Sequence, residues 1–266
     1  MCKVAFTLGP FVFYWYGMII AVAVLAAFAV VLWQSRLFRD PTLPLVDLTL
    51  YGVPAGIVCA RIYYVLANWE LYRDNPVESL YIWQGGLASA GAMIGFVAVL
   101  YSYVRANGLS FWHWSDLLAP GLAVGQAVGQ WANLINQESF GYPASSSWGV
   151  YIDYALRPTG FEQFDYFQPV FAYESSWNML LFLLTVVFAY GQRKYKWLQP
   201  GSLFLLYIAF YSLGHVYLTG LRLDSDADAI FSAQLVSAVV AGVALVFFVR
   251  NNRRAADSEK AAKEVF

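Results

Sequence analysis

The sequence predicts an all-α integral membrane protein of seven transmembrane helices, with a small outer-face cap between helices four and five. Three observations predict this. The chain is 60% hydrophobic and only 12% charged, about half the ~25% charge of a soluble domain, and its mean hydropathy is +0.53. Apolar stretches near the ~20 residues needed to cross a bilayer recur along the whole length. One long connection is rich in aromatic residues, which is atypical of a disordered linker.

The spans are expected at 11–33, 48–68, 86–104, 117–136, 175–191, 201–220 and 231–249. The first opens on Phe11-Val-Phe-Tyr-Trp-Tyr-Gly17, an aromatic cluster suited to a membrane interface. The second carries Arg61 and the fourth a run of amides, so both are less apolar than the rest. Cys59 lies within an apolar span and reads as a small core residue. Cys2 follows Met1 directly with no apolar stretch before it, so a cleaved secretory signal is not expected. The connection at about 137–174 holds Trp148, Tyr151, Tyr154, Phe161, Phe164, Tyr166, Phe167 and Phe171, and is expected to fold as the cap. Residues 1–249 thus form the membrane domain, and 250–266 a polar cytoplasmic tail.

Basic residues set the expected orientation. With the N-terminus outside and the C-terminus inside, the cytoplasmic side receives Arg36, Arg39, Arg105, Arg193, Lys194, Lys196, Arg250, Arg253, Arg254, Lys260 and Lys263. The outer side keeps Lys3, Arg73, Arg157 and Arg222. A net charge of −1 leaves no basic face for a nucleic acid. His113, between aromatics on the inner side, reads as an interface residue. Asp224, Asp226 and Asp228 alternate, but the glycine and distal Glu of a calcium loop are missing, so the segment reads as a solvated outer loop.

The most informative stretch is Gly121 to Gly141. Gly121, Gly125 and Gly129 recur every fourth residue, the pattern that lets a second helix approach closely in a membrane. Gln126, Gln130, Asn133 and Gln137 are spaced as one helical stripe, followed by Asn136 and Glu138. Amides can be interhelical glue, or they can line a polar chamber. In the N-out topology, Tyr16, Arg61, Glu174, His215, Arg222 and Gln234 all fall in the outer half with this stripe. That shared bias favours a chamber, since intramembrane ionisable groups are functional candidates. The plainer readings stay open: Arg61 snorkelling to the interface, His215 in helix packing, Glu138 and Glu174 in the head-group layer.

Several motifs in order resemble the prolipoprotein diacylglyceryl transferases. They include Tyr14-Trp-Tyr-Gly17, Ala60-Arg61-Ile-Tyr-Tyr-Val65, Ile82-Trp-Gln-Gly-Gly86, Gly129-Gln-Trp-Ala-Asn133-Leu-Ile-Asn136-Gln-Glu138-Ser-Phe-Gly141, Tyr173-Glu174-Ser-Ser-Trp-Asn178, Gly220-Leu-Arg222-Leu-Asp-Ser225 and Ala233-Gln-Leu-Val-Ser237. The resemblance covers nearly the whole chain. It implies a bacterial inner-membrane enzyme with an outward-facing site. Such an enzyme moves diacylglyceryl from phosphatidylglycerol to the lipobox cysteine of a preprolipoprotein signal peptide, releasing glycerol 1-phosphate. No cofactor or metal is implied; the partners are membrane lipids and the preprolipoprotein.

The chain also departs from that pattern. Gln130 stands where the family has Arg, Ala90 and Gln168 where it often has His, and His215 and Thr219 where it has Arg and Glu. The expected site is therefore Glu138 or His215 as the proton-handling group. Tyr16, Arg61, Gln130, Asn133, Asn136, Glu174 and Arg222 bind substrate, with Arg222 or Arg61 supplying positive charge. The alternative is a catalytically weak or inactive relative that binds lipid or lipopeptide. A transporter would need a polar path through the inner halves, which read as apolar.

Overall fold

The computed structural model describes residues 4–9, 11–82, 85–195 and 198–264. Cys2, Lys3, Trp83, Gln84, Lys196 and the side chains of Arg254, Lys260 and Lys263 lie outside the described residues. Eight α-helices dominate the described chain: α1 (Trp15–Phe38), α2 (Leu43–Ala67), α3 (Ser89–Ala106), α4 (Phe111–Gly129), α5 (Ala132–Asn136), α6 (Val170–Tyr195), α7 (Ser202–Thr219) and α8 (Ala227–Glu264). Six of them, α1, α2, α3, α6, α7 and the Ala227–Arg253 part of α8, are long and apolar enough to cross a membrane. The protein is thus an all-α membrane protein. The expected fourth span is not among the six: it is the helix α4, a break at Gln130–Trp131, and the five-residue α5. Its amides, Pro120 and Asp116 lower the hydropathy that a continuous span would need.

The start of the first expected span is also different. Phe11–Tyr14 is not helical but forms β2, paired antiparallel with β1 (Val4–Leu8). The run Val-Ala-Phe-Thr-Leu favours a strand. Gly9 turns the chain at φ 59°, and Phe6 stacks on Phe13 with ring centroids 4.5 Å apart.

The chain divides into two compact units, Gln34–Trp114 and the remainder. In the smaller unit α2 and α3 meet along glycines. A Cβ on Gly91 would strike the Cys59 carbonyl, one on Gly95 would lie 2.7 Å from the Ala55 carbonyl, and one on Gly52 2.8 Å from the Phe96 ring. Backbone-to-backbone approach of this kind replaces the hydrophobic drive that lipid removes. Tyr103 donates to Asp47 at 2.6 Å across the same pair. His113 meets Asp40 at 3.1 Å.

In the larger unit the Gly121/Gly125/Gly129 stripe does what its spacing predicts. It lies against α1, with Val31 and the Ala27 carbonyl over Gly121, Ala27 over Gly125, and Ile20 and Ala23 over Gly129. On another side of α4, Ala119 and Ala123 pack with Leu181 of α6 and Tyr207 of α7. Asp116 accepts from Gly201 N at 2.6 Å and Phe204 N at 2.8 Å, so a carboxylate answers the free N–H groups that open α7.

Between α5 and α6 the chain folds on a small core of its own: Phe140, Ile152 and Phe167, each at most 2% exposed. Strand β3 (Val150–Tyr151) pairs with β4 (Tyr166–Phe167) above it. Arg157 ties the tip, donating to the carbonyls of Ile152 (3.0 Å) and Glu162 (2.8 Å) and to Asp165 (2.7 Å). The aromatic connection is therefore a folded element.

Candidate active site

The predicted amide stripe does not continue past α4, because the helix breaks. Its members split three ways. Gln126 accepts from Tyr207 OH at 2.7 Å. Gln130 accepts from Asn133 Nδ2 at 2.7 Å across the elbow. Gln137 leaves the stripe entirely: it is buried in a left-handed conformation (φ 57°) and grips Asp153, donating to Oδ2 and accepting from N, both at 2.6 Å.

This last grip shapes the segment around Glu138. Gln137 and Ser139 both have positive φ, 57° and 55°. Each such non-glycine residue costs on the order of 1–3 kcal/mol unless its surroundings hold it. They are held: Gln137 by Asp153, and Ser139 by Asp224, which accepts its N–H at 2.8 Å, and by Phe171 N, which donates to its carbonyl at 2.9 Å. Glu138, between them, is exposed. Asn136 is half-buried at the last residue of α5, and Tyr16 on α1 is 38% exposed within electrostatic reach of Glu138.

Arg222 follows α7 and binds Asp224 through two N–H groups, Nε to Oδ1 at 3.0 Å and Nη2 to Oδ2 at 2.8 Å. Burial works against its charge. Asp224, with Glu174 and Glu138 behind it, outweighs that and holds the guanidinium above its ordinary pKa. Asp224 is thus not the solvated residue the sequence suggested; its side chain is 10% exposed and joins Arg222 to Ser139.

Glu174 is 5% exposed on α6 and accepts a long 3.5 Å hydrogen bond from Ser139 Oγ. It lines a small cavity with Gln130, Asn178, Tyr211 and His215, closed by Trp177 and Leu218. His215 Nδ1 meets Ser237 Oγ at 3.0 Å and Thr219 Oγ1 at 3.2 Å. A His–Thr hydrogen bond therefore stands where the family pattern has Arg and Glu. Beside the cavity, α6 and α7 enclose an apolar groove of about 670 Å³ lined by Tyr173, Leu180, Leu213 and Tyr217, with Trp177 and Leu218 common to both. The Trp177 indole lies directly on Gly214, where any Cβ would collide with it, and donates to the Phe210 carbonyl at 3.2 Å.

Gln130, Glu174 and His215 thus share one cavity, with Asn133 bonded to Gln130 and Glu138 within electrostatic reach of Arg222. Arg61 belongs to the smaller unit, and its guanidinium is not open to a phosphate. It is 6% exposed and donates to four carbonyls: Ser79 (2.7 Å), Gly85 (2.7 Å), Gly86 (3.0 Å) and Glu78 (2.8 Å). Gly86, at φ 74°, admits it, since a Cβ there would lie 2.6 Å from its Nη1. Sequence reading missed Ser139, Asp224, Asn178 and Tyr211. The fourfold spacing of Tyr207, Tyr211 and His215 was a usable signal: on α7 their rings follow one another with centroids 6.2 and 5.9 Å apart.

The Prolipoprotein diacylglyceryl transferase family model matches residues 3–250. Among curated proteins, the phosphatidylglycerol–prolipoprotein diacylglyceryl transferase of Synechococcus elongatus is 40% identical over 238 residues, 87% of this chain and 81% of the relative. That of Synechocystis is 38% identical over 258 residues, 94% and 90% of the two chains. That of Halalkalibacterium halodurans is 36% identical over 253 residues, 93% and 86%. With the motifs in order along a polar membrane site, these matches place the chain in the prolipoprotein diacylglyceryl transferase family.

Proposed function

We propose that this chain transfers the diacylglyceryl group of phosphatidylglycerol to the lipobox cysteine thiol of preprolipoproteins, as the names of its relatives state for them. The observation that carries the reading is the cavity of Gln130, Glu174, Tyr211 and His215 beside an apolar groove. A phospholipid needs that pairing, polar side chains that meet part of its head group and an apolar face for its chains. In the reaction the cysteine sulfur attacks the diacylglyceryl carbon that bears the phosphate ester. The new C–S bond replaces the C–O bond, and glycerol 1-phosphate leaves with the electron pair. The thiol proton goes to a base. His215 fits that role: its Nδ1 is oriented by Ser237 and Thr219 while the ring lines the cavity. Glu138, held out between two pinned residues, serves the head group or the incoming thiol at the edge of the site. Arg222 supplies positive charge for the leaving phosphate. Gln130, Asn133, Asn136 and Tyr16 orient the head group by hydrogen bonds. Arg61 holds its loop.

In the membrane, α4 with α5 acts as the seventh crossing, its elbow lying where the polar residues collect. The N-terminus and the folded 137–174 segment face outward, and the tail faces the cytoplasm of a bacterial inner membrane. The basic-residue asymmetry supports this orientation.

A second reading is favoured by one observation. The Arg222 guanidinium is already answered bidentately by Asp224, and no arginine stands at Gln130. A site with so little free positive charge suits lipid or lipopeptide binding with weak turnover. Complementation separates the two. In a host depleted of its own transferase, this chain should restore thioether-modified lipoproteins. Stable insertion without modification would favour the binding reading.

A further inference from the structure

Asn178 is 2% exposed and lines the cavity. Its Nδ2 donates to the Glu174 carbonyl one turn earlier at 2.9 Å. Its Oδ1 is buried with no hydrogen-bond donor among the described residues. Leaving a buried acceptor unmatched is unfavourable, so such an atom beside a cavity marks a place built for a donor from outside.

The rest of the lining narrows the donor. Gln130 Oε1 already accepts from Asn133, which leaves the amide N–H groups as what Gln130 has to offer the cavity it lines. Tyr211 contributes a hydroxyl and Glu174 a carboxyl. Donors and acceptors thus face one another across a space of about 10 Å³, room for a single water-sized group. A hydroxyl both donates and accepts and fits such a mixed set. An ammonium donates only and would leave the Gln130 N–H unmatched. A phosphate is too large and finds no cation there.

We infer that Asn178, with Gln130 and Tyr211, forms a one-hydroxyl recess that reads the terminal hydroxyl of a glycerol head group. This rests on phosphatidylglycerol being the substrate. The hydroxyl donates to Asn178 Oδ1 and accepts from Gln130. Head-group selectivity then comes from a residue on α6 that makes no contact with the phosphate. A site whose buried acceptor needs a substrate hydroxyl rejects analogues that lack it.

The test uses the full-length protein in detergent and native mass spectrometry with three lipids of equal chains: phosphatidylglycerol, phosphatidyl-1,3-propanediol and phosphatidylpropanol. The wild type should bind the first two alike and phosphatidylpropanol about tenfold more weakly. Asn178→Leu, close in volume, should bind all three alike. Asn178→Asp, which keeps an acceptor, should retain the preference and serves as the arm that shows α6 is intact. A preference that survives Asn178→Leu, or a wild type that does not distinguish phosphatidylpropanol, overturns the inference. A wild type that binds none of the three overturns the phosphatidylglycerol reading itself, and the inference with it.

Discussion

Two arginines, one in each unit, Arg61 buried and Arg222 half-buried, do opposite things with their charge. Arg61 spends its N–H groups on four backbone carbonyls of the loop between α2 and α3. Arg222 spends two of its own on one carboxylate. The carbonyls satisfy hydrogen bonds without cancelling the charge; the carboxylate does both. A guanidinium surrounded by main chain fixes a loop and offers little to a ligand. One held by a single side chain can be released or shared when an anion arrives. The same contrast runs through the two units: the smaller is closed by glycine contacts between α2 and α3, the larger gathers polar side chains around a cavity.

If that contrast is right, stability should depend on the smaller unit's residues and function on the larger unit's. The largest expected loss of stability is at Arg61. Arg61→Ala removes the Arg61 donors from four carbonyls, three of them on half-buried residues, and should cost about 1–3 kcal/mol. Arg61→Lys should recover little, because one ammonium cannot reproduce a planar fork. Thermal unfolding in detergent checks both, and an unchanged Arg61→Ala midpoint would break the comparison. Next is Gly91→Val, whose Cβ would meet the Cys59 carbonyl and the Ala60 Cα. Overpacking of this kind costs about 1–3 kcal/mol.

Glu138→Gln should move stability by less than about 0.5 kcal/mol, as for an exposed position. Transfer, or lipid binding if turnover is weak, should fall by about 10²-fold or more if the carboxylate handles a proton or orients the head group. An equal fall in melting temperature would instead return Glu138 to a structural role.

The smallest effect is a pH dependence in the folded segment between α5 and α6. The Gln137 amide beside Asp153 holds its carboxyl below the usual value of 3.8. A carboxyl depressed in the folded state favours folding above its unfolded pKa, and that contribution is lost as pH falls through the lower folded value. The protection of amides around Ile152, relative to their intrinsic exchange rate at each pH, should therefore fall below about pH 4 in the wild type. Asp153→Asn should flatten this response.

Much of the fold was legible because membrane spans are a composition signal. Long apolar runs gave α1, α2, α3, α6, α7 and the Ala227–Arg253 part of α8 to within several residues, while α8 runs on as helix to Glu264 through the expected polar tail. The glycine stripe gave a close helix contact on one face of α4, since fourfold spacing fixes a face whatever the partner; that the partner is α1 came from the structure. Phe11–Tyr14 was misread because aromatic residues suit an interface and a strand equally well. The elbow at Gln130 was invisible, since nothing in Gly-Gln-Trp-Ala forbids a helix; Asn133 bonds Gln130 across it, and α5 then ends where Asp153 holds Gln137 and Asp224 holds Ser139. Arg61 stood as one of two candidates for the positive charge, with snorkelling as the alternative, because sequence shows the charge but not the carbonyls around it. Asp224 was read as solvated for the complementary reason, its partner Ser139 lying 85 residues away.

The central claim is that the cavity of the larger unit carries out diacylglyceryl transfer. The most direct measurement reconstitutes the purified chain in phosphatidylglycerol vesicles with a lipobox peptide and reads the peptide mass. The account predicts that the peptide gains one diacylglyceryl group on its cysteine, that glycerol 1-phosphate appears in equal amount, and that His215→Ala abolishes both while lipid binding persists. A folded, lipid-binding wild type that leaves the peptide mass unchanged would contradict it.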